Sequence, residues 1–222
     1  MSRCLKALCV SAATVLVLAI SASAAAAVPV GFFIAGEKSE EKEKQPRFEA
    51  ESYPATVKGT SKGPNLFFVQ FGTLECNNVQ FAGWIVAAST ALTVQPTFAS
   101  CTFGGLTPTV FVNGCGYVFN VSNVGPGYLG TTNIACAAGK EIELVLFGSG
   151  VLKCTIKVPS QTGLSSVYYA NMGSGSSRNI ATTLKPASIK YSQVAGTGPG
   201  KCTAGEFTNG FYSAPVVMSA EK

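Results

Sequence analysis

Cysteine placement is the property that most narrows the folds open to this chain of 222 residues. Two of the eight cysteines lie within the first ten residues. The other six are Cys76, Cys101, Cys115, Cys136, Cys154 and Cys202. An even number in an exported chain predicts three disulfides. A metal site is the alternative, but the chain has no histidine and its cysteine spacings are too long for a zinc site.

The N-terminus has the layout of a secretory signal peptide. Two basic residues precede an apolar run at 7–20, and small residues with several A-x-A sites follow it. We expect removal of residues 1–27, which leaves roughly 195 residues, enough for one sizeable β domain or two small ones. The alternative is an uncleaved membrane anchor, because no charge lies between Lys6 and Glu37 and this span is long enough to cross a bilayer.

A charged segment follows the apolar N-terminus. The sequence EKSEEKEKQPRFEAE at 37–51 mixes both signs without an apolar period, so we predict a flexible charged spacer at 28–52. From residue 64 onward the chain has eight basic and five acidic side chains, without a Lys/Arg cluster. Such a dispersed charge gives no indication of nucleic-acid binding.

Short β-branched and aromatic runs alternate with Gly, Pro, Asn and Ser from Tyr53 onward. No helical period is sustained there, so the sequence predicts an all-β domain over 53–222. The clearest predicted strands are 66–71, 79–86, 91–98, 109–121 with a break at Asn113-Gly114, 129–135, 140–147, 151–158, 166–170, 187–194 and 210–218. A disulfide-stapled antiparallel β-sandwich is the economical arrangement. Two small β lobes with a boundary near 159–163 are the alternative.

Turn symmetry suggests how the cysteines pair. The predicted disulfides are Cys76–Cys101, Cys115–Cys136 and Cys154–Cys202. The first pair is symmetric about Ala88-Ser89, the second is symmetric about Gly125-Pro126, and the third follows by elimination. Regular alternation puts the first pair on the more polar face of its hairpin, which counts against it. Six cysteines allow fifteen connectivities, and the others stay open.

The stretch KEIELVLFGSGVLKCTIKV predicts a further hairpin around Gly148-Ser149-Gly150. A three-residue loop pairs Val145 with Lys153 and Glu143 with Thr155. One face of this hairpin is then apolar, and the other carries its glutamates and lysines.

Three segments, FEAESYPATVKGT, CAAGKEIELVLFGSGVLKCTIKVPSQTGLSSVYY and CTAGEFTNGFYS, resemble segments of uncharacterised exported, cysteine-containing β proteins of actinobacteria. They extend across most of the chain that follows the signal peptide. The resemblance implies an exported β protein. It brings no activity and no functional residues with it.

The chain contains neither histidine nor aspartate. Ser-His-Asp and Cys-His catalysis, paired-aspartate proteolysis and H-E-x-x-H zinc sites all need these side chains. We therefore expect no enzyme, no metal and no cofactor. The alternative is a glycan-active enzyme that uses Glu75 and Glu206, because a glycoside hydrolase needs two carboxyl groups about 5 to 9.5 Å apart.

Aromatic side chains suggest a different class of function. Tyr168-Tyr169 and Phe211-Tyr212 are adjacent pairs on predicted strands, so each pair sends one ring outward. Trp84, Tyr169 and Tyr212 are the candidate ligand-binding rings, because outward rings on a flat sheet form a platform for sugars. Ordinary packing is the commoner role of such rings.

Taken together, these patterns predict an exported, non-enzymatic β domain of the cell surface or medium with a structural or recognition role. The expected partners are a cell-wall glycan or another surface protein, and no nucleic acid. The alternatives are the glycan-active enzyme and a module tethered to a membrane by its uncleaved N-terminus.

Overall fold

The computed structural model describes residues 33–35, 47–48, 53–123, 128–173, 179–198 and 202–221. Every regular element in these ranges is a β-strand, so the predicted all-β class is confirmed. The predicted signal peptide, most of the predicted spacer and the turn at Gly125-Pro126 lie outside the described residues. Within the described ranges, no helix is long and apolar enough to span a membrane.

Sixteen strands follow one another along the described part of the chain. They are β1 (Ile34–Ala35), β2 (Arg47–Phe48), β3 (Ala55–Ser61), β4 (Asn65–Val69), β5 (Gly72–Ile85), β6 (Ala91–Phe103), β7 (Thr109–Phe111), β8 (Gly116–Asn123), β9 (Tyr128–Ala135), β10 (Ile142–Gly148), β11 (Val151–Val158), β12 (Gln161–Met172), β13 (Asn179–Leu184), β14 (Ala187–Ala195), β15 (Gly205–Ser213) and β16 (Val216–Glu221). Most coincide with predicted strands, whereas β1, β2, β3 and β13 have no counterpart in the prediction. The predicted strand at 210–218 is split at Ala214-Pro215, because proline has no N–H to donate to a ladder.

Eight of these strands form a closed barrel. Neighbouring strands follow the order β3-β16-β13-β12-β9-β8-β6-β5, and β5 pairs with β3 to close the ring. The predicted β-sandwich is therefore wrong. The cause is the length of β5, because its first part pairs with β4 and its second part pairs with β3. One strand thus belongs to two sheets.

A second sheet extends from the first part of β5. Its strands continue in the order β4, β15, β14, β11, β10 and β7. Its inner side chains join those of the barrel in one continuous apolar core, and we call its opposite, exposed side the outer face. Residues 159–163 lie where the chain passes from β11 in the second sheet to β12 in the barrel. A division into two lobes there stays a prediction.

Strands β5 and β6 reverse their inward-facing positions where they pass from the barrel into the second sheet. Cys76 and Val79 are both buried, although regular alternation would place them on opposite faces. The pairing of the two strands skips Asn77 and Ser100, and Ser100 has a left-handed φ of 53°. The register is the same on both sides of this break in the ladder, but the break turns the cysteines into the core, so the expectation that they lie on the polar face is wrong.

Three disulfides join the predicted pairs. They are Cys76–Cys101, Cys115–Cys136 and Cys154–Cys202, with Cα–Cα distances of 4.0, 4.0 and 5.3 Å. The first two link neighbouring antiparallel strands, as turn symmetry predicts. The third ties the segment before β15 to the hairpin of β10 and β11. Three disulfides indicate an oxidising, extracellular environment.

The hairpin of β10 and β11 differs in register from the prediction. Its loop is the two residues Ser149 and Gly150, and the register shifts between Leu146 and Phe147. As a result Glu143 faces Lys157, two positions farther along β11 than predicted. The apolar and charged faces are nevertheless the predicted ones, because a shift of two residues preserves the side of the sheet.

Phe33 of the N-terminal segment lies in the barrel interior. Phe33 is completely buried, and its backbone exchanges two hydrogen bonds with Ser89, of 2.7 and 3.0 Å. Its ring meets the ring of Tyr169 edge to face at 5.3 Å. Strands β1 and β2 pair in parallel beside it. These few residues of the predicted spacer are therefore docked on the barrel.

Candidate functional site

The outer face of the second sheet brings aromatic and polar side chains together. Glu75 on β5 lies opposite Leu66 on β4, and Leu66 lies opposite Tyr212 on β15. Phe68 is two positions along β4 from Leu66 and lies against Gly210 of β15. Residues two apart on a strand share a face, so these side chains form one surface.

Glycine at position 210 allows one aromatic ring to lie over the sheet. A Cβ atom there would come within 3.3 Å of Phe68 Cδ2. Phe68 is 41% exposed and Tyr212 is 39% exposed. We call Leu66, Phe68 and Tyr212 the platform. It offers an open apolar area with a phenol hydroxyl at its border.

A polar groove adjoins the platform on the same face. It consists of two contiguous depressions of about 510 and 500 Å³, which share Pro159, Lys190 and Thr208. Its floor is formed by β14 and β15, and its wall is the connection from β11 to β12. The remaining side chains with hydrogen-bonding groups along it are Glu141, Ser160, Gln161, Thr162, Ser188, Tyr191, Ser192 and Glu206.

The wall of the groove is held to its floor by Gln161. The backbone N–H of Lys190 donates to Gln161 Oε1, and Gln161 Nε2 donates to the Lys190 carbonyl, both at 2.8 Å. Strand β11 pairs with β14 and ends at Val158, just before Pro159. Beyond this point the side-chain amide of Gln161 forms the hydrogen bonds with the β14 backbone that a further residue of β11 would otherwise form. These two hydrogen bonds join the wall of the groove to β14.

Charges on the outer face are only partly paired. Lys157 Nζ lies 3.2 Å from Glu143 Oε1 and 3.6 Å from Glu141 Oε2. The hydrogen bond to Glu143, followed by the attraction of that carboxylate, raises the pKa of Lys157. Among the described residues, neither Glu75 nor Glu206 forms an ion pair.

Only one of the three predicted ligand-binding rings belongs to this surface. Tyr212 lies on the platform, whereas Trp84 is on the outside of the barrel and is 69% exposed. Trp84 is nine residues from Glu75 along β5, or about 30 Å in an extended strand. Phe68 and Lys190 were not predicted to belong to the site, and alternation in NLFFV shows only that Phe67 and Phe68 lie on opposite sides of β4.

The prediction for Tyr169 is wrong, because its ring is completely buried in the barrel. Its hydroxyl donates to the Asn120 carbonyl at 3.1 Å, and burial raises the pKa of Tyr169. The exposed member of this pair is Tyr168, whose ring carries Lys185 Nζ at 5.1 Å from its centroid. Alternation correctly separates the two tyrosines but does not indicate which side is the interior.

The two candidate carboxylates do not come together. Glu75 is two strands away from Tyr212, and Glu206 is six residues from Tyr212 along β15. These offsets place the two glutamates about 22 Å apart, well beyond the range for a glycoside hydrolase pair. No group of three metal-binding side chains occurs in the described ranges.

No family model matches this chain, and no curated protein or solved structure matches it either. The outer face must therefore be interpreted from its own chemistry.

Proposed function

We propose that this protein is an exported, non-enzymatic recognition domain of the cell surface or medium that binds glycans on the outer face of its second sheet. The observation that carries the proposal is the platform, in which Phe68 lies over Gly210 beside the exposed Tyr212. The three disulfides support an extracellular location.

A sugar ring has an apolar face of C–H groups and a rim of hydroxyl groups. Aromatic rings on the platform suit the apolar face, because they provide a large contact area at little cost in side-chain entropy. Serine, threonine and glutamine side chains of the groove suit the rim, because hydroxyl and amide groups can both donate and accept hydrogen bonds. The platform and groove together support binding of several linked sugars.

The glycan-active enzyme has less support. Its two carboxylates, Glu75 and Glu206, are about 22 Å apart by strand geometry, so they cannot act on the same glycosidic bond. A surface protein as partner is the second candidate, since exposed aromatic rings also serve protein interfaces. The experiment below distinguishes a glycan from a protein partner.

Co-sedimentation of the purified protein with insoluble polysaccharides and isolated cell envelopes tests the proposal. We expect saturable pelleting that Tyr212→Ala weakens by at least about fivefold, the loss typical of a ring at the centre of a contact. Tyr168→Ala is the matched control, because Tyr168 is equally exposed but lies on the barrel.

Two results would contradict glycan binding. One is an absence of saturable pelleting with every polysaccharide. The other is equal pelleting of the Tyr212→Ala variant and the unmodified protein. Pelleting with envelopes that survives removal of their glycans but not protease treatment would indicate a protein partner instead.

A further inference from the structure

We infer that the platform selects glycans that carry free amino groups, with Glu75 as the residue that recognises the ammonium group. This inference rests on the proposed glycan binding and specifies its ligand. The starting observation is that a half-buried carboxylate adjoins the platform without a counter-charge.

The four nearest residues of Glu75 on the same face, across and along the strands, are uncharged. Leu66 and Thr102 lie directly opposite it on the two neighbouring strands. Along its own strand, Thr73 and Asn77 are the nearest side chains on either side. Within the described ranges, the Glu75 carboxylate forms no ion pair and no hydrogen bond. Its negative charge is thus available to a ligand.

Charge complementarity therefore favours a cationic group on the ligand at this point. An ammonium group beside Glu75 would form a charge-assisted hydrogen bond, which is stronger than one from a neutral hydroxyl. The rings of Phe68 and Tyr212 add to this preference, because a cation near an aromatic face is attracted by the ring quadrupole. The same rings hold the apolar face of the sugar.

The groove distinguishes an amino sugar from a basic peptide. Hydroxyl and amide groups line much of the groove, and they suit the hydroxyl groups of a sugar, which a basic peptide does not offer. The occupant that fits both regions is a glycan with an amino sugar on the platform and sugar hydroxyls in the groove.

Three tetrasaccharides of the same linkage test this selectivity. In cellotetraose, the glucosamine tetramer and the N-acetylglucosamine tetramer, the second carbon of each unit carries a hydroxyl, an ammonium or an acetamide group. Binding is measured by titration calorimetry with the full chain at mildly acidic pH, where the amine of glucosamine is protonated. We expect the glucosamine tetramer to bind about three- to tenfold more tightly than cellotetraose.

Two glutamine variants assign the preference to one carboxylate. Glu75→Gln should remove the preference for glucosamine, so that the ratio of the affinities for the glucosamine tetramer and cellotetraose falls to about one. Glu143→Gln is the matched control, because Lys157 already compensates its charge, and it should keep the preference. Thermal denaturation of both variants checks that they are folded.

The outcomes separate this inference from the proposed function. Equal affinity for glucosamine and cellotetraose, or a preference that survives Glu75→Gln, overturns the inference while glycan binding stands. Tetralysine that competes as strongly as the glucosamine tetramer also overturns it, because charge alone would then be recognised. If none of the three tetrasaccharides binds, the inference fails, and the proposed function is then decided by the co-sedimentation experiment alone.

Discussion

Replacement of Phe33 by alanine should destabilise the folded protein strongly, because this ring fills the barrel interior. Phe33 is 0% exposed and contacts the ring of Tyr169 edge to face. Burial of a phenylalanine ring and the cavity that its removal leaves are together worth about 3–5 kcal/mol. The two backbone hydrogen bonds to Ser89 do not depend on the side chain, so their contribution is retained. We therefore expect the lower end of this range, about 3 kcal/mol.

A loss of this size corresponds to a fall in Tm of about 6 to 12 °C for a domain of this length. Differential scanning calorimetry of the oxidised protein measures it directly. Phe111→Ala is the matched control, because Phe111 is 47% exposed and its loss should change stability by no more than about 0.5 kcal/mol. If Phe33→Ala lowers the Tm no more than Phe111→Ala does, the N-terminal segment does not dock in the barrel and our reasoning is refuted.

Two further predictions concern the platform and the alkaline limit of stability. Gly210→Val should displace the Phe68 ring and weaken glycan pelleting, because a Cβ atom at this position already lies 3.3 Å from the ring, while the Tm should hold since valine favours strands. Unchanged pelleting by a folded Gly210→Val variant would contradict the role given to that ring. Burial raises the pKa values of Tyr117 and Tyr169 above the usual value of about 10. Their neutral forms thus stabilise the fold fully below about pH 10, and this contribution is lost as the pH rises above it. Calorimetric Tm values and phenolate absorbance, followed together from neutral to alkaline pH, should show ionisation of these tyrosines only on unfolding, and their ionisation in the folded protein would argue against the prediction.

Some features of the fold follow from local patterns in the sequence. Turn symmetry predicts the pairs Cys76–Cys101 and Cys115–Cys136, because a short hairpin sets the register of both its strands. Alternation likewise predicts that Phe211 and Tyr212 lie on opposite sides of their strand. Both predictions depend only on residues that are close in sequence and on the two-residue period of a strand.

Other features depend on contacts between distant parts of the chain. Alternation separates Tyr168 from Tyr169 but cannot show that Tyr169 faces the interior, because the interior exists only after the barrel has closed. The sequence also gives no indication that Phe68 lies against Gly210. The two residues are far apart along the chain, and only the pairing of β4 with β15 brings them together.

The amino-acid sequence alone predicted the β class and the disulfides Cys76–Cys101 and Cys115–Cys136, because a strand period and the symmetry of a turn are short-range properties, whereas Cys154–Cys202 followed only by elimination. The tertiary structure alone decided that the strands close into a barrel, since β3 pairs with β16 across most of the chain as well as with β5. It also decided which exposed rings form a surface. A side chain's neighbours across a sheet are set by long-range strand pairing, and a local period contains no information about that pairing.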